Sequence, residues 1–286
     1  MSLGPDQAAA GTLQQRMIPA GSGEALPLVG MGTWNTFDIE AQAPRESLLQ
    51  VAQEFYAAGA RVLDTSPMYG EAEAVCGEIM AKLERRPQTF LATKVWTRGL
   101  EAGRAQIQRS LQLLRTTQLD LLQIHNLLDW RVHTATLRDL KAAGTVRFIG
   151  ITHYTEAAHA DLEAVLRAES FDFVQVNYSL VTRAAEARLL PFCQERGIGV
   201  LVNRPFEEGQ LLRRLRGQPL PPYAAEIGCA DWAQFCLKFI ISHSAVSCVI
   251  PASSTALHMR SNLQAGCGPL PDAELRRRMV ADGNVR

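Results

Sequence analysis

The chain has no surplus of charge of either sign: 29 Lys and Arg are matched by 29 Asp and Glu, for a formal net charge of +0 over 286 residues. That balance argues against a nucleic-acid partner and against an acidic membrane surface, because both require a basic excess. The one basic run, Leu211-Leu212-Arg213-Arg214-Leu215-Arg216, is short and reads as a solvated turn of helix. No apolar stretch approaches the roughly 20 residues that span a bilayer, and the most apolar candidate, 235–241, is interrupted by Lys238. No membrane insertion is expected. Cysteine is sparse and scattered. Cys76, Cys193, Cys229, Cys236, Cys248 and Cys267 form no C-x-x-C pair and match no zinc spacing, so neither a disulfide framework nor a metal site is expected. They read as small buried apolar residues. An apolar leader core is missing as well: residues 1–23 are rich in Gly, Ala and Gln and read as a flexible lead-in.

What the chain does have is alternation. Short runs rich in Val, Ile, Leu and Phe occupy 28–34, 62–66, 89–95, 119–125, 146–153, 173–178, 199–206 and 246–251. They are almost continuously apolar, as parallel strands buried on both faces must be. Segments of helical period separate them, at 45–58, 70–83, 104–114, 134–143, 156–167, 184–195, 233–242 and 256–265. In the first, Leu48, Val51, Ala52 and Phe55 fall on one face and Gly59 stops the helix. Eight strands, each followed by a helix, predict an α/β fold of the (β/α)8 (TIM) barrel type, one domain over 24–286. A doubly wound sheet is the competing reading. It needs a glycine-rich turn from the first strand into a helix, whereas Gly30-Met31-Gly32-Thr33-Trp34 lacks the third glycine and runs into 35–44. The stretch 206–231 has little periodicity and is a long loop after a barrel strand, at the end where such barrels do chemistry. A short basic helix over 271–279 is expected to pack outside.

Polar residues close several of the apolar runs. Asp64 ends one, Lys94 the next and His125 the third, while Tyr69 sits in the loop 65–70. Taken singly, each has an ordinary structural role open to it: a loop cap, a snorkelling lysine, a hydrogen-bonded core histidine. On successive strands of one barrel they make a candidate catalytic set, since burial of such groups is costly without partners.

The segments Leu63-Asp64-Thr65-Ser66-Pro67-Met68-Tyr69-Gly70, Ala92-Thr93-Lys94-Val95 and Asp120-Leu121-Leu122-Gln123-Ile124-His125 resemble the catalytic blocks of the aldo-keto reductases. Gly30-Met31-Gly32-Thr33-Trp34 resembles the family's first strand, and Ile250-Pro251 with Asn262-Leu263 its last block, so the resemblance covers about 26–264. It implies a monomeric enzyme that reduces a small aldehyde or ketone to an alcohol with NADPH, NADH being possible. It also implies a catalytic tetrad of Asp64, Tyr69, Lys94 and His125. Chemically this is coherent. A carbonyl that accepts hydride develops oxyanion character and needs a proton donor. A free phenol has a pKa near 10, and Lys94 beside Tyr69 is expected to lower it. Asp64 would keep Lys94 charged, and His125 would polarise or orient the carbonyl.

The resemblance assigns cofactor contacts to Thr152 and His153, where relatives have Ser-Asn, and to Gln175. After the seventh strand, Asn203, Arg204, Pro205 and Phe206 replace an aromatic followed by Ser-Pro-Leu, with Arg204 either stacking on the nicotinamide or pairing with the diphosphate. In the last block Ser253, Ser254, His258, Arg260 and Asn262 are the implied ligands of the adenosine phosphate end, with Ala252 where NADPH-preferring relatives carry lysine. Trp34, Trp96 and Trp130 follow three of the strands and are candidates for a substrate-pocket wall. Two other functions compete. One is a nicotinamide-binding redox sensor or regulatory subunit with little turnover. The other, a metal-dependent hydrolase, needs more converging ligands than His125 and His153 supply. The chain as it stands is assigned to the cytoplasm. Gly150-Ile151-Thr152-His153-Tyr154 and Val202-Asn203-Arg204-Pro205-Phe206 resemble a bacterial subgroup with twin-arginine export leaders, which makes the periplasm the alternative.

Overall fold

A computed structural model describes residues 11–40 and 42–283. Eight parallel strands form one sheet in sequential order: β3 (Met31–Gly32), β4 (Val62–Asp64), β5 (Phe90–Val95), β6 (Leu119–His125), β7 (Val146–Thr152), β8 (Phe173–Asn177), β9 (Gly199–Asn203) and β10 (Val246–Val249). Parallel bridges between Val29 and Val249 and between Gly32 and Ala252 join the last strand to the first and close the barrel. The helices are α1 (Glu46–Ala57), α2 (Ala72–Lys82), α3 (Leu100–Leu113), α4 (Trp130–Ala142), α5 (His159–Ala168), α6 (Leu189–Arg196), α7 (Gln210–Leu215), α8 (Trp232–Ile241), α9 (Ala256–Gln264) and α10 (Ala273–Gly283). The (β/α)8 expectation is met. Helix α1 buries Leu48, Val51, Ala52 and Phe55, the face its periodicity picks out.

Period-two alternation divides the core into two. Residues facing the helices join a large outer cluster, while Val62, Phe90, Ala92, Leu121, Phe148, Phe173, Leu201, Cys248 and Ile250 form a smaller cluster inside the barrel. Burial on both faces is why the strands read as unbroken apolar runs. All six cysteines are free and buried, as expected. Among the described residues no helix is long and apolar enough to cross a membrane.

The lead-in departs from expectation. Its first ten residues lie outside the described residues, but the rest is built into the fold. β1 (Gln15–Met17) pairs antiparallel with β2 (Ala25–Pro27). Ile18 and Leu26 from this hairpin enter the inner cluster and plug the N-terminal end of the barrel. Gly21 (φ 74°) and Gly23 (φ 71°), which look like flexibility in sequence, supply the left-handed backbone that the reversal requires. Ion pairs fasten the plug: Arg61 to Glu24 at 2.8 Å, Arg147 to Glu24 and to Asp120 (2.6 Å), and Arg86 to Asp120 at 3.1 Å.

Smaller differences have local causes. The helix expected over 184–195 is a 3-10 turn (Ala184–Glu186) followed by α6, because Pro191 cannot donate to a helix running through it. The loop 206–231 contains α7 and a 3-10 turn, Pro222–Ala225. The C-terminal helix runs longer than expected, Ala273–Gly283, and Arg276 ties it to Tyr178 Oη (2.7 Å) and Glu186 (2.6 Å).

Candidate active site

The strand order brings the polar strand-end residues to the C-terminal end of the barrel interior. Alternation sends Ala92 and Lys94 inward from β5, and Gln123 and His125 inward from β6. Lys94 is fully buried; its Nζ donates to Asp64 Oδ2 at 2.7 Å and to the Thr65 carbonyl at 2.8 Å. Its Nζ also lies 5.0 Å from the centre of the Tyr69 ring. His125 meets the Tyr69 ring edge-on at 6.0 Å, and its Nδ1 is 3.1 Å from Ser66 Oγ. The four expected tetrad residues therefore converge.

Their electrostatics follow from burial and from one another. Burial alone would push Lys94 down, but the Asp64 carboxylate, helped by Tyr69, reverses this and holds the ammonium above its ordinary value. For Tyr69, burial pushes the phenol up; Lys94 opposes this and Asp64 adds to it, leaving the phenol raised. This corrects the expectation of a net lowering: Lys94 acts in the expected direction but does not outweigh desolvation. His125 is pushed down to about 2, by burial first and then by the Lys94 ammonium and the neighbouring His153, so its imidazole is neutral.

Around this cluster lies a ring of amides and hydroxyls. Gln175 donates to Asp64 Oδ1 at 2.8 Å, and its Oε1 accepts from Thr152 Oγ1 at 3.4 Å and from Asn203 Nδ2 at 3.3 Å. His153 Nδ1 accepts from the backbone N–H groups of Tyr154 (3.0 Å) and Thr155 (3.3 Å), which leaves the proton on Nε2 in the neutral ring. His153 stacks on Tyr154 at 5.4 Å, and the Arg204 guanidinium lies 5.4 Å over the Tyr154 ring while pairing with Glu208 at 3.0 Å. Arg204 has φ 50°, a strained value for a non-glycine residue. Among the described residues, Asn203 Oδ1 and Arg204 Nε are buried without a hydrogen-bond partner. Such groups are costly unless a polar ligand meets them, so this rim fits a polar cofactor.

The remaining expected contacts divide. Ser253 is buried and accepts from Asn262 Nδ2 at 2.9 Å, while Ser254 and His258 are exposed beside the first turn of α9. Arg260 is not with them. Two residues along a helix is about 200° of rotation, so Arg260 faces away from His258 and Asn262 and forms a bidentate pair with Glu54 of α1. Pro205 is buried and Phe206 packs against the outer core. Trp96 is exposed and 6.2 Å from His125; Trp34 is exposed, next to Thr33, whose hydroxyl donates to the Asp64 carbonyl at 3.1 Å. Trp130 instead opens α4, packing on the core and under Arg131 at 4.4 Å.

Two residues escaped the reading of the sequence. Gln123 is buried and donates to Asp64 Oδ1 at 3.1 Å. Its signal was present: it lies two positions before His125 and so shares the interior face. Glu73, buried on α2, accepts from Thr93 Oγ1 (2.6 Å) and Ser110 Oγ (3.0 Å) on the far side of β5, where burial raises its carboxyl.

Residues 28–278 match the model of the Aldo/keto reductase family. The chain belongs to that family. It is 31% identical over 271 residues to the methylglyoxal reductase YeaE of Escherichia coli, covering 92% of this chain and 93% of that one. It is 29% identical over 232 residues to an NADH-specific methylglyoxal reductase of the same organism, covering 68% of this chain and 69% of that one. Among solved structures, an aldo/keto reductase of Klebsiella pneumoniae in complex with NADP and acetate superposes with a TM-score of 0.77. It is 26% identical, with 93% of this chain and 94% of that chain covered. Membership of the aldo/keto reductases gives the convergent polar cluster a chemical context.

Proposed function

We propose that this aldo/keto reductase is an NAD(P)H-dependent enzyme that reduces an aldehyde or ketone to an alcohol. The observation that carries the reading is a fully buried lysine between Asp64, at 2.7 Å, and Tyr69. A reduced nicotinamide, when bound, supplies the hydride to the carbonyl carbon. Tyr69 Oη delivers the proton to the carbonyl oxygen. Its raised pKa keeps that proton in place at neutral pH, and Lys94 stabilises the negative charge left on the phenol as it departs. Asp64 keeps Lys94 charged. His125, neutral and fixed beside Ser66, orients the carbonyl oxygen with its imidazole. Thr152, His153, Gln175, Asn203 and Arg204 would hold the nicotinamide half of the cofactor, and Ser253, Ser254, His258 and Asn262 the adenosine half. Trp34 and Trp96 wall the substrate entrance. The relatives named methylglyoxal reductases direct the first assays to small 2-oxoaldehydes, with NADPH and NADH compared side by side. The enzyme acts as a monomer, which size-exclusion chromatography tests.

The decisive experiment is Tyr69→Phe. It deletes one hydroxyl and keeps the ring, so packing and cofactor binding stay as they are. General acid catalysis contributes about 10²–10⁴-fold in rate, and kcat should fall by that much while the NADPH dissociation constant, read by fluorescence titration, holds. Near-normal carbonyl reduction by this variant would overturn the assignment. Cofactor binding without turnover by the wild-type protein would favour a sensing role instead.

A further inference from the structure

Asp64 is held from three sides. Lys94 occupies Oδ2 at 2.7 Å, and two side-chain amides converge on Oδ1: Gln123 at 3.1 Å and Gln175 at 2.8 Å. The amides are joined to each other, Gln175 Nε2 reaching Gln123 Oε1 at 3.4 Å. Both are buried, and they come from β6 and β8. Between those strands, β7 presents Gly150 beside Gln123. A Cβ there would lie 3.3 Å from Gln123 Cγ and 2.8 Å from the Phe173 carbonyl, so the absent side chain is what lets the glutamine cross the interior. Amide donors of this kind do not neutralise a carboxylate, but they fix its orientation and disperse its charge.

We infer that Gln123 is a positioning residue: with Gln175 it clamps Asp64 Oδ1, which turns Oδ2 toward Lys94 and fixes how far Lys94 reaches toward Tyr69. Gln175 then has two faces. Its amide nitrogen serves Asp64, while its oxygen faces Thr152 and Asn203 at the cofactor rim. The clamp thereby links cofactor recognition to the proton donor through three residues in direct contact. Without the Gln123 amide, the charge on Asp64 is less dispersed and less well aimed. Lys94 is drawn further onto the carboxylate and gives less support to the Tyr69 phenolate.

This inference rests on Tyr69 being the proton donor, and the experiment separates the two. The variants are Gln123→Met, which keeps the length and removes the donor, and Gln123→Glu, which is isosteric. Two quantities are read in each. One is the pH profile of kcat and KM in carbonyl reduction. The other is the ionisation of Tyr69, taken as the ultraviolet titration difference between each variant and its Tyr69→Phe counterpart. Gln123→Met should lower kcat about tenfold, the size of one hydrogen bond to a charged group, with KM unchanged and the Tyr69 titration moved upward. Gln123→Glu should behave differently. Protonated, the new carboxyl donates to Asp64 as the amide does. Ionised, it opposes Asp64 and competes for Lys94, with Tyr69, His125 and, behind β5, Glu73 the other titratable groups around it. Its activity should approach the wild-type value at acidic pH and fall as pH rises, a dependence that packing alone would not produce. It also keeps the question measurable if Gln123→Met does not fold. Wild-type kcat and an unmoved Tyr69 titration in folded variants would overturn the clamp. Absence of wild-type turnover would overturn the proton-donor reading, while the Tyr69 titration would still decide the clamp.

Discussion

The two ends of the barrel interior share one geometry and have opposite chemistry. Along four of the strands, an inward residue at the N-terminal end and the next inward residue are Val62 and Asp64, Leu121 and Gln123, Phe173 and Gln175, Leu201 and Asn203. One end is a dry cluster in which Phe90, Phe148 and Phe173 meet ring to ring at 5.5–6.0 Å, closed by Ile18 and Leu26. The other, one step of the pleat away, buries a carboxylate, an ammonium, two amides and an imidazole. Packing stabilises the first end. The second holds groups that each cost free energy to bury and that only mutual hydrogen bonding makes tolerable. A barrel can carry such a layer because the apolar layer beneath it excludes water and holds the strands in register.

Breaking each end should give distinct signatures. The largest effect is expected from Lys94→Met. Removing the ammonium leaves Asp64 buried without its ionic partner, which typically costs about 3–5 kcal/mol. Denaturant unfolding should show that loss, and carbonyl reduction should collapse with it. Lys94 is the group that pulls the Tyr69 phenol down against burial, so its removal sends the phenol higher. Any residual activity should keep its alkaline limb at higher pH than the wild type, because a less acidic phenol retains its proton further up the scale. A limb moved to lower pH would contradict the electrostatic role given to Lys94.

Phe173→Ala attacks the other end. Its ring is fully buried against Phe90 and Phe148, and phenylalanine-to-alanine changes in a core cost about 3–5 kcal/mol. Below the melting transition, kcat per folded molecule should remain near the wild-type value, since the Phe173 ring packs on Phe90 and Phe148 in the apolar layer. Loss of kcat at full folded population would show that the two layers are coupled more tightly than their separation by one pleat step implies.

Legibility in the sequence followed the range of the interaction responsible. The alternation of buried strands and amphipathic helices is local, and it yields the barrel and the buried face of α1. The convergence of Asp64, Lys94 and His125 is also readable, because an ionisable residue closing an apolar strand adds nothing to packing and is costly to bury. The hairpin that plugs the barrel was not readable: its strands are three residues each, and its burial is decided by the floor of a barrel formed later in the chain. Nor was the net direction of the Tyr69 shift, since charge proximity can be guessed from a motif but desolvation is set by the whole fold. Gln123 was readable in principle, through its two-residue spacing from His125.

Arg260 is the site where helical phase, ignored in a linear reading, changes a functional expectation, and the smallest effect belongs to it. His258 and Asn262 are one turn apart and share a face of α9, and Asn262 is anchored on Ser253 at 2.9 Å. Arg260 lies on another face, where its guanidinium takes both oxygens of Glu54. The pair is largely solvent-exposed on the arginine side, and exposed pairs are weakened by screening. Arg260→Ala should therefore shift the melting temperature only slightly. More informative is cofactor preference. If the guanidinium stays paired with Glu54 of α1, the ratio of NADPH to NADH dissociation constants should hold at its wild-type value when both are titrated by fluorescence. A selective weakening of NADPH would mean that Arg260 leaves Glu54 to meet the phosphate, and the adenosine end of the site would have to be redrawn around it.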